Sequence, residues 1–365
     1  MSRKQGVWTG ASGSSEALQA GFVQKAFTAI VKQYPELDTT EIQQYIRTSA
    51  ASSVPFLSNA TADALTLPLD RLSNGNALLT LPSSDNTSSL LDTAEALRES
   101  IDLNRVTPEG GLWYYVYPQW SYLDGMYSLA PFYTLYTLTT TTAESDDARS
   151  ALDDMVYQID LLWNHTFHAP QGLLNHGYDA SRTAVWANNA TGSSPHVWGR
   201  SLGWYAMALV DTLEILAEAP CKYRDQLLKK FNALMPAIMS AVDRRSGGWW
   251  QVMDKPGREG NYIESSGSAM FAYALLKGVR LGYLPQNITR HASSVAVRAQ
   301  SYLTEHFVVK EANGTLSYNG TVAVCSLNST ADYDYYIGQP ILYNSVLGSA
   351  AYVLASLEAE AVQSS

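Results

Sequence analysis

Only two cysteines and six histidines occur among 365 residues. Cys221 and Cys325 can form one disulfide at most, and they match no metal-binding spacing. The histidines are dispersed, so neither a protein-bound catalytic metal nor a cofactor is expected. No P-loop, no GxGxxG and no Ser/His/Asp order stands out. Charge is also scarce, at 16% of residues, and the net charge is -10. That balance excludes a general nucleic-acid binder but allows a small anion held by one local arginine. No run of 18 apolar residues is present, so no membrane-spanning helix is expected.

Phenylalanine is rare too, with 8 against 23 Tyr and 9 Trp. Polar-tipped rings suit a wet cleft that takes sugars. The other excess is in Asn-x-Ser/Thr sequons, which begin at Asn59, Asn86, Asn164, Asn189, Asn287, Asn313, Asn319 and Asn328. They point to a secreted glycoprotein. Met1-Ser2-Arg3-Lys4 is followed by no apolar signal-peptide core. Either that peptide has been removed or the protein stays in the cytoplasm; the sequons favour secretion.

Apolar periodicity at three and four predicts eleven helices. They cover 15–34, a segment opening at Thr40, 75–81, 90–103, 122–138, 146–167, 203–217, 223–242, 265–282, 288–307 and 341–357. Between them a glycine turn followed by a short β-like run recurs at Gly111, Gly172, Gly248 and Gly314, spaced 61, 76 and 66 residues apart. At about 65 residues per unit the chain holds five to six helical hairpins. Six hairpins closing into a ring make an (α/α)6 barrel, all-α apart from short β-like loops gathered at one mouth. An open α-solenoid is the alternative. The repeat crosses the whole chain, so residues 1–365 are read as one catalytic domain.

The richest stretch is Ser194 to Met207, which places Trp198, Arg200 and Trp204 within seven residues before a helical pattern. A helix N-terminus can hold an anion, and an arginine fork can grip a carboxylate. The plain alternative is a helix start with core tryptophans. Asp124, amid aromatics at a helix start, is either an N-cap or a desolvated carboxyl fit to donate a proton. Asp70 is a second carboxyl before a short helix, and its plain reading is a cap or a surface pair with Arg71. His176 sits in one of the recurring loops and could position a hydroxyl.

Several long motifs in order resemble glycoside hydrolase family 105, the unsaturated rhamnogalacturonyl hydrolases. They are Leu123-Asp124-Gly125-Met126-Tyr127, His176-Gly177-Tyr178-Asp179, Trp198-Gly199-Arg200 with Gly203-Trp204-Tyr205-Ala206-Met207, and Gly260-Asn261-Tyr262-Ile263-Glu264-Ser265. The resemblance runs from about Asp70 to Tyr283 and implies an (α/α)6 barrel. It implies Asp124 as catalytic acid/base and Asp70 as a second essential carboxyl. His176, Trp198, Arg200 and Trp204 would line the sugar site, with Tyr122 and Tyr178 as further sugar contacts. The implied reaction hydrates the C4=C5 bond of a 4,5-unsaturated uronic acid at the end of a lyase-generated oligosaccharide. Tyr114 and Tyr115 stand where many relatives carry a histidine after the tryptophan, which leaves the exact substrate open. An unsaturated glucuronyl hydrolase, an ordinary inverting glycosidase and a non-catalytic sugar-binding protein are the competing readings.

Overall fold

The computed structural model describes residues 3–10, 15–81, 87–218 and 221–364. Asn86 and the Cys221 side chain lie outside the described residues. Cys325 is a free, buried thiol.

In chain order the helices are α1 (Glu16–Gln33), α2 (Thr40–Ser53), α3 (Ala60–Thr66), α4 (Gly75–Thr80), α5 (Thr87–Asp102), α6 (Asp124–Thr140), α7 (Asp146–Thr166), α8 (Gly199–Ile215), α9 (Cys221–Ser240), α10 (Ser265–Arg280), α11 (Gln286–Phe307), α12 (Tyr333–Ile337) and α13 (Val346–Gln363). All eleven expected helices are there; α3 and α12 are additional short ones. A 3₁₀ segment, Leu69–Asn74, leads into α4.

The packing closes a ring. The 3₁₀ segment before α4 packs on α1 and α6, then α6 on α8, α8 on α10, α10 on α13, and α13 on α1. Outside them α2 covers α1, α5 covers α4, α7 covers α6, α9 covers α8 and α11 covers α10. This is the expected (α/α)6 barrel, with an outer partner on five of six inner positions among the described residues. The sequence encodes the two layers differently. Outer helix α11 buries only Ala292, Ala296, Ala299 and Leu303, one stripe at a spacing of three and four. Inner helix α8 is buried continuously from Gly199 to Leu213. That is the all-round burial of a helix lying between others.

The inner helices run in parallel. Residues near their N-termini, Leu18, Asp124, Arg200 and Leu347, line one cleft. Residues near their C-termini, Gln33, Thr80, Glu214 and Arg280, line a cavity of about 440 Å³ at the opposite end. Buried charges line that far end. Asp211 accepts from Lys25 and from Lys277 Nζ, the latter at 2.7 Å. Burial would raise Asp211, but the two ammonium groups outweigh it and hold its carboxyl down at about 2.

The recurring turn is a small hairpin at the outer end of each unit. Gly110, Gly172, Gly247 and Gly314 take φ of 84, 68, 86 and 81°, the left-handed region that favours glycine. In the first and third units this is the residue before the expected Gly111 and Gly248. The amide of the left-handed glycine closes each turn, and the residue after it pairs across the hairpin, as where Asp243 N donates to Gly248 O. Two true two-stranded ladders result, β2 (Phe167–His168) with β3 (Leu173–Leu174), and β5 (Val308–Lys310) with β6 (Leu316–Tyr318).

Candidate active site

Tyr122, expected to open a helix, ends a strand instead, and the helix starts at Asp124. β1 (Trp120–Tyr122) pairs with β4 (Gly177–Asp179) in antiparallel register, Tyr122 opposite Gly177. The pairing fits because a Cβ on Gly177 would lie 2.4 Å from Ser121 O. It brings the loop before α6 against the loop carrying His176. Helix α8 begins at Gly199, four residues before the expected start, so Arg200 is inside its first turn. α8 and α10 cross closely at the same end, since a Cβ on Gly267 would meet Gly199 C at 2.9 Å.

Six of the eight expected residues line one narrow cleft of about 110 Å³: Asp70, Tyr122, Asp124, Trp198, Arg200 and Trp204. The positive ends of the inner helices converge there, which favours an anionic ligand.

Asp124 is the first residue of α6, and its cap position belongs to Leu123, with no side-chain cap bond. The N-cap alternative is therefore not what holds it. Its Oδ2 accepts from Ser201 Oγ at 2.5 Å and lies 3.3 Å from His176 Nε2. His176 is fully buried just behind the cleft. Its ring is packed between Tyr122 and Trp198, with centroids 5.2 and 4.8 Å away. Tyr336 Oη contacts His176 Nδ1 at 2.8 Å, which aims Nε2 at Asp124.

Asp70 is buried in the 3₁₀ segment. Tyr114 Oη donates to its Oδ2 at 2.9 Å, while Oδ1 has no partner. Burial raises its pKa to about 7, helped by the charge of Asp124 and opposed by the Tyr114 bond and Arg71. The surface pair with Arg71 is absent. Arg71 is buried and turned to α5, where Nε donates to Ser100 Oγ and Nη2 to Asn104 Oδ1, both at 3.0 Å. It anchors the segment that presents Asp70.

Arg200 stacks over Trp198 at 4.7 Å. Its two terminal nitrogens donate to Val322 O and Ala323 O, each at 2.5 Å. Nη1 also donates to Ser266 Oγ at 3.4 Å, so the second N–H left over is that of Nη2, on a guanidinium pre-set by the protein before any ligand arrives. Glu264 caps α10 through Gly267 N at 2.7 Å and also accepts from Val322 N at 3.0 Å. Arg200 and Glu264 thus fix the 322–323 wall together. Trp198 Nε1 donates to Gln251 Oε1 at 3.0 Å. Trp204 is largely a core residue, against Phe22 at 4.8 Å and Tyr127 at 4.5 Å, with only part of it reaching the cleft.

Tyr178 does not line the cleft. On β4 it takes the opposite face from its neighbours, stacks on His165 at 4.2 Å and turns its hydroxyl toward Gly111. Three other residues carry the site: Ser201 and Tyr336, which were not singled out from sequence, and Tyr114, which was noted there only as standing where many relatives carry a histidine. Ser201 lies inside the Trp/Arg/Trp stretch, but its partner is 77 residues away.

Among the described residues no group of three or more His, Cys, Asp or Glu could hold a metal ion. No helix of the described residues is long and apolar enough to cross a membrane.

Residues 18–363 match the family described as Glycosyl Hydrolase Family 88. Over 193 residues, 51% of this chain, the sequence is 38% identical to Protein Atu3128 of Agrobacterium fabrum, of which it covers 82%. The solved structure of a C. acetobutylicum glycoside hydrolase from family 105 aligns with TM-score 0.81 and 31% identity, over 93% of this chain and 92% of that one. The unsaturated glucuronyl hydrolase of Bacillus sp. GL1 aligns with TM-score 0.62 and 13% identity, over 95% of this chain and 86% of that one, a likeness of fold. The chain belongs to Glycosyl Hydrolase Family 88, with the (α/α)6 barrel of its family 105 neighbours, and is a glycoside hydrolase.

Proposed function

We propose that this protein releases a 4,5-unsaturated uronic acid from the non-reducing end of lyase-generated oligosaccharides. The observation that carries the reading is the pair Asp70 and Asp124 facing one narrow, aromatic cleft at the positive ends of the inner helices. The narrow cleft suits one terminal sugar unit. The helix ends and Arg200 suit its carboxylate.

The substrate's C4=C5 bond is a vinyl ether, conjugated with the carboxylate. Asp124 delivers a proton to C4, and positive charge develops at C5 and the ring oxygen. Water, steered by Asp124 or Asp70, adds to C5, and its proton returns to Asp124. The C5 hemiketal opens to a ketone, and the hemiacetal left at C1 collapses to an aldehyde with loss of the aglycone alcohol. One water is consumed, and both carboxyls end as they began. No displacement at C1 occurs, so the usual two-carboxylate scheme does not apply. An entering uronate adds negative charge beside Asp70, whose pKa burial already raises, and so favours the proton that Asp70 keeps.

Unsaturated rhamnogalacturonan disaccharides from pectin are the first-choice substrate, on the motif resemblance. An unsaturated glucuronyl hydrolase acting on another polysaccharide-lyase product is the rival reading. The enzyme is proposed to act outside the cell as a glycoprotein, in keeping with the exposure of all seven described sequon asparagines. A panel of lyase products, followed by loss of the double bond's ultraviolet absorbance, tests the reading. Turnover of saturated glycosides with no absorbance loss on any lyase product would sink it.

A further inference from the structure

Resting on the reaction so read, but not on the disaccharide as its first-choice substrate, we infer that the enzyme has an outer subsite for uncharged sugar units, which favours chains extended beyond the disaccharide by neutral sugars. The cleft of about 110 Å³ lies far below the roughly 300–1,000 Å³ of sites that enclose a drug-sized ligand. The units behind the uronate must therefore lie outside it. A second depression, about 530 Å³, runs beside the mouth. Its lining includes Pro118, Gln119, Trp120, Val185, Trp186 and Asn328.

The two depressions share their walls. The segment from Tyr114 to Tyr122 lines the cleft through Tyr114, Tyr117 and Tyr122, and the groove through Pro118 to Trp120. The segment 324–329 does the same, with Ser326 in the cleft and Asn328 in the groove. A series of rings follows this path. Tyr114, bonded to Asp70, stacks on Tyr122 at 4.3 Å; Tyr122 stacks on Tyr117 at 6.4 Å; Tyr117 meets Trp120 at 5.2 Å, and Trp120 meets Trp186 edge-on at 5.1 Å. Tyr122 and Trp186 are buried within this series, so the half-buried Tyr117 and Trp120 are the rings that can meet the C–H face of a sugar.

The groove is also held in place. Trp186 Nε1 donates to Leu327 O at 2.7 Å, and Ala180 N to Gln119 O at 3.0 Å. Gln119 keeps a left-handed φ of 64°, a strain that persists only where surroundings enforce it. Val185 stands 88% exposed at the rim. None of the ten lining residues is charged. Such a surface offers an acidic or sulfated unit no counter-charge, so the groove selects neutral sugars.

The test uses unsaturated di-, tri- and tetrasaccharides with the same terminal uronate and neutral sugars behind it, on enzyme freed of N-glycans because Asn328 opens a sequon. The expected result is a rise in kcat/KM of about tenfold or more from di- to tetrasaccharide, mostly through KM. Val185→Asp and Asn328→Arg, exposed changes that leave the fold alone, should each abolish that rise and keep disaccharide turnover within about twofold. Tetrasaccharides with an acidic outer unit should gain nothing. Equal kcat/KM at all lengths, a length gain that survives both substitutions, or an equal gain with acidic outer units overturns the subsite while leaving the reaction standing. No turnover at any length instead overturns the reaction on which it rests.

Discussion

Ser201 and Asp124, 77 residues apart, are joined across two inner helices by a 2.5 Å hydrogen bond from Ser201 Oγ to Asp124 Oδ2. The bond fixes which carboxylate oxygen is engaged and leaves the other for the substrate. Ser201 is fully buried, so no water replaces the hydroxyl cheaply. Ser201→Ala should lower kcat by about tenfold through loss of one bond to a charged group. KM should hardly change, because Ser201 does not line the cleft. An effect confined to KM would show that Ser201 acts on binding rather than on the orientation of Asp124.

Asp70 should make the protein less stable as pH rises. Its folded pKa is raised to about 7 by burial, whereas an unfolded aspartate titrates near 4. Between those values the folded state keeps a proton that the unfolded chain releases. Unfolding free energy therefore falls by about 1.4 kcal/mol per pH unit over that window and levels off above it. Asp70→Asn removes this loss. The melting temperature of the variant should gain on wild type as pH goes from 4 to 8, while activity is severely impaired and substrate still binds. A melting difference that does not vary with pH would refute the assignment.

Arg200→Lys should weaken binding of the unsaturated uronate by at least about tenfold. An uncharged analogue should lose much less, as titration calorimetry would reveal. The guanidinium is aimed by the carbonyls of Val322 and Ala323, which a lysine cannot engage together with a carboxylate. Equal losses for both ligands would mean that Arg200 only holds the 322–323 wall.

The helices and the ring could be read from sequence because each rests on a local signal. A stripe such as that of α11, or the uniform apolarity of α8, shows over a few turns. The carboxyls, Trp198 and Arg200 were also legible, since they stand in long motifs at helix starts. What escaped depends on contacts between distant segments. Tyr178 belongs to a three-residue strand, too short for a period-two pattern to tell which face is inward. Ser201 and Tyr336 matter only through partners 77 and 160 residues away. The raised carboxyl was expected at Asp124, from its aromatic flanks. The structure places a large rise on Asp70, because the fold buries that carboxyl away from water and sets the charge of Asp124 near it, against the lowering effect of the Tyr114 bond.

The reaction itself gives the sharpest prediction. If Asp124 protonates C4, turnover in heavy water must leave deuterium at C4 of the released keto-acid. In water enriched in heavy oxygen, the label must enter at C5, and the aglycone alcohol must keep its own oxygen. An ordinary glycosidase would put label at the anomeric carbon instead. Asp124→Asn separates chemistry from architecture. The side chain is nearly the same shape, and since Leu123 rather than Asp124 holds the cap position of α6, no capping bond is lost. Ser201 Oγ can still donate to the amide oxygen. The variant should fold and melt like wild type, bind substrate, and turn over about 10²–10⁴-fold more slowly, the span expected for removing a positioned proton donor. A residual rate near wild type in a folded Asp124→Asn protein, or label at C1 with wild type, would remove Asp124 as the acid, and the hydration mechanism with it.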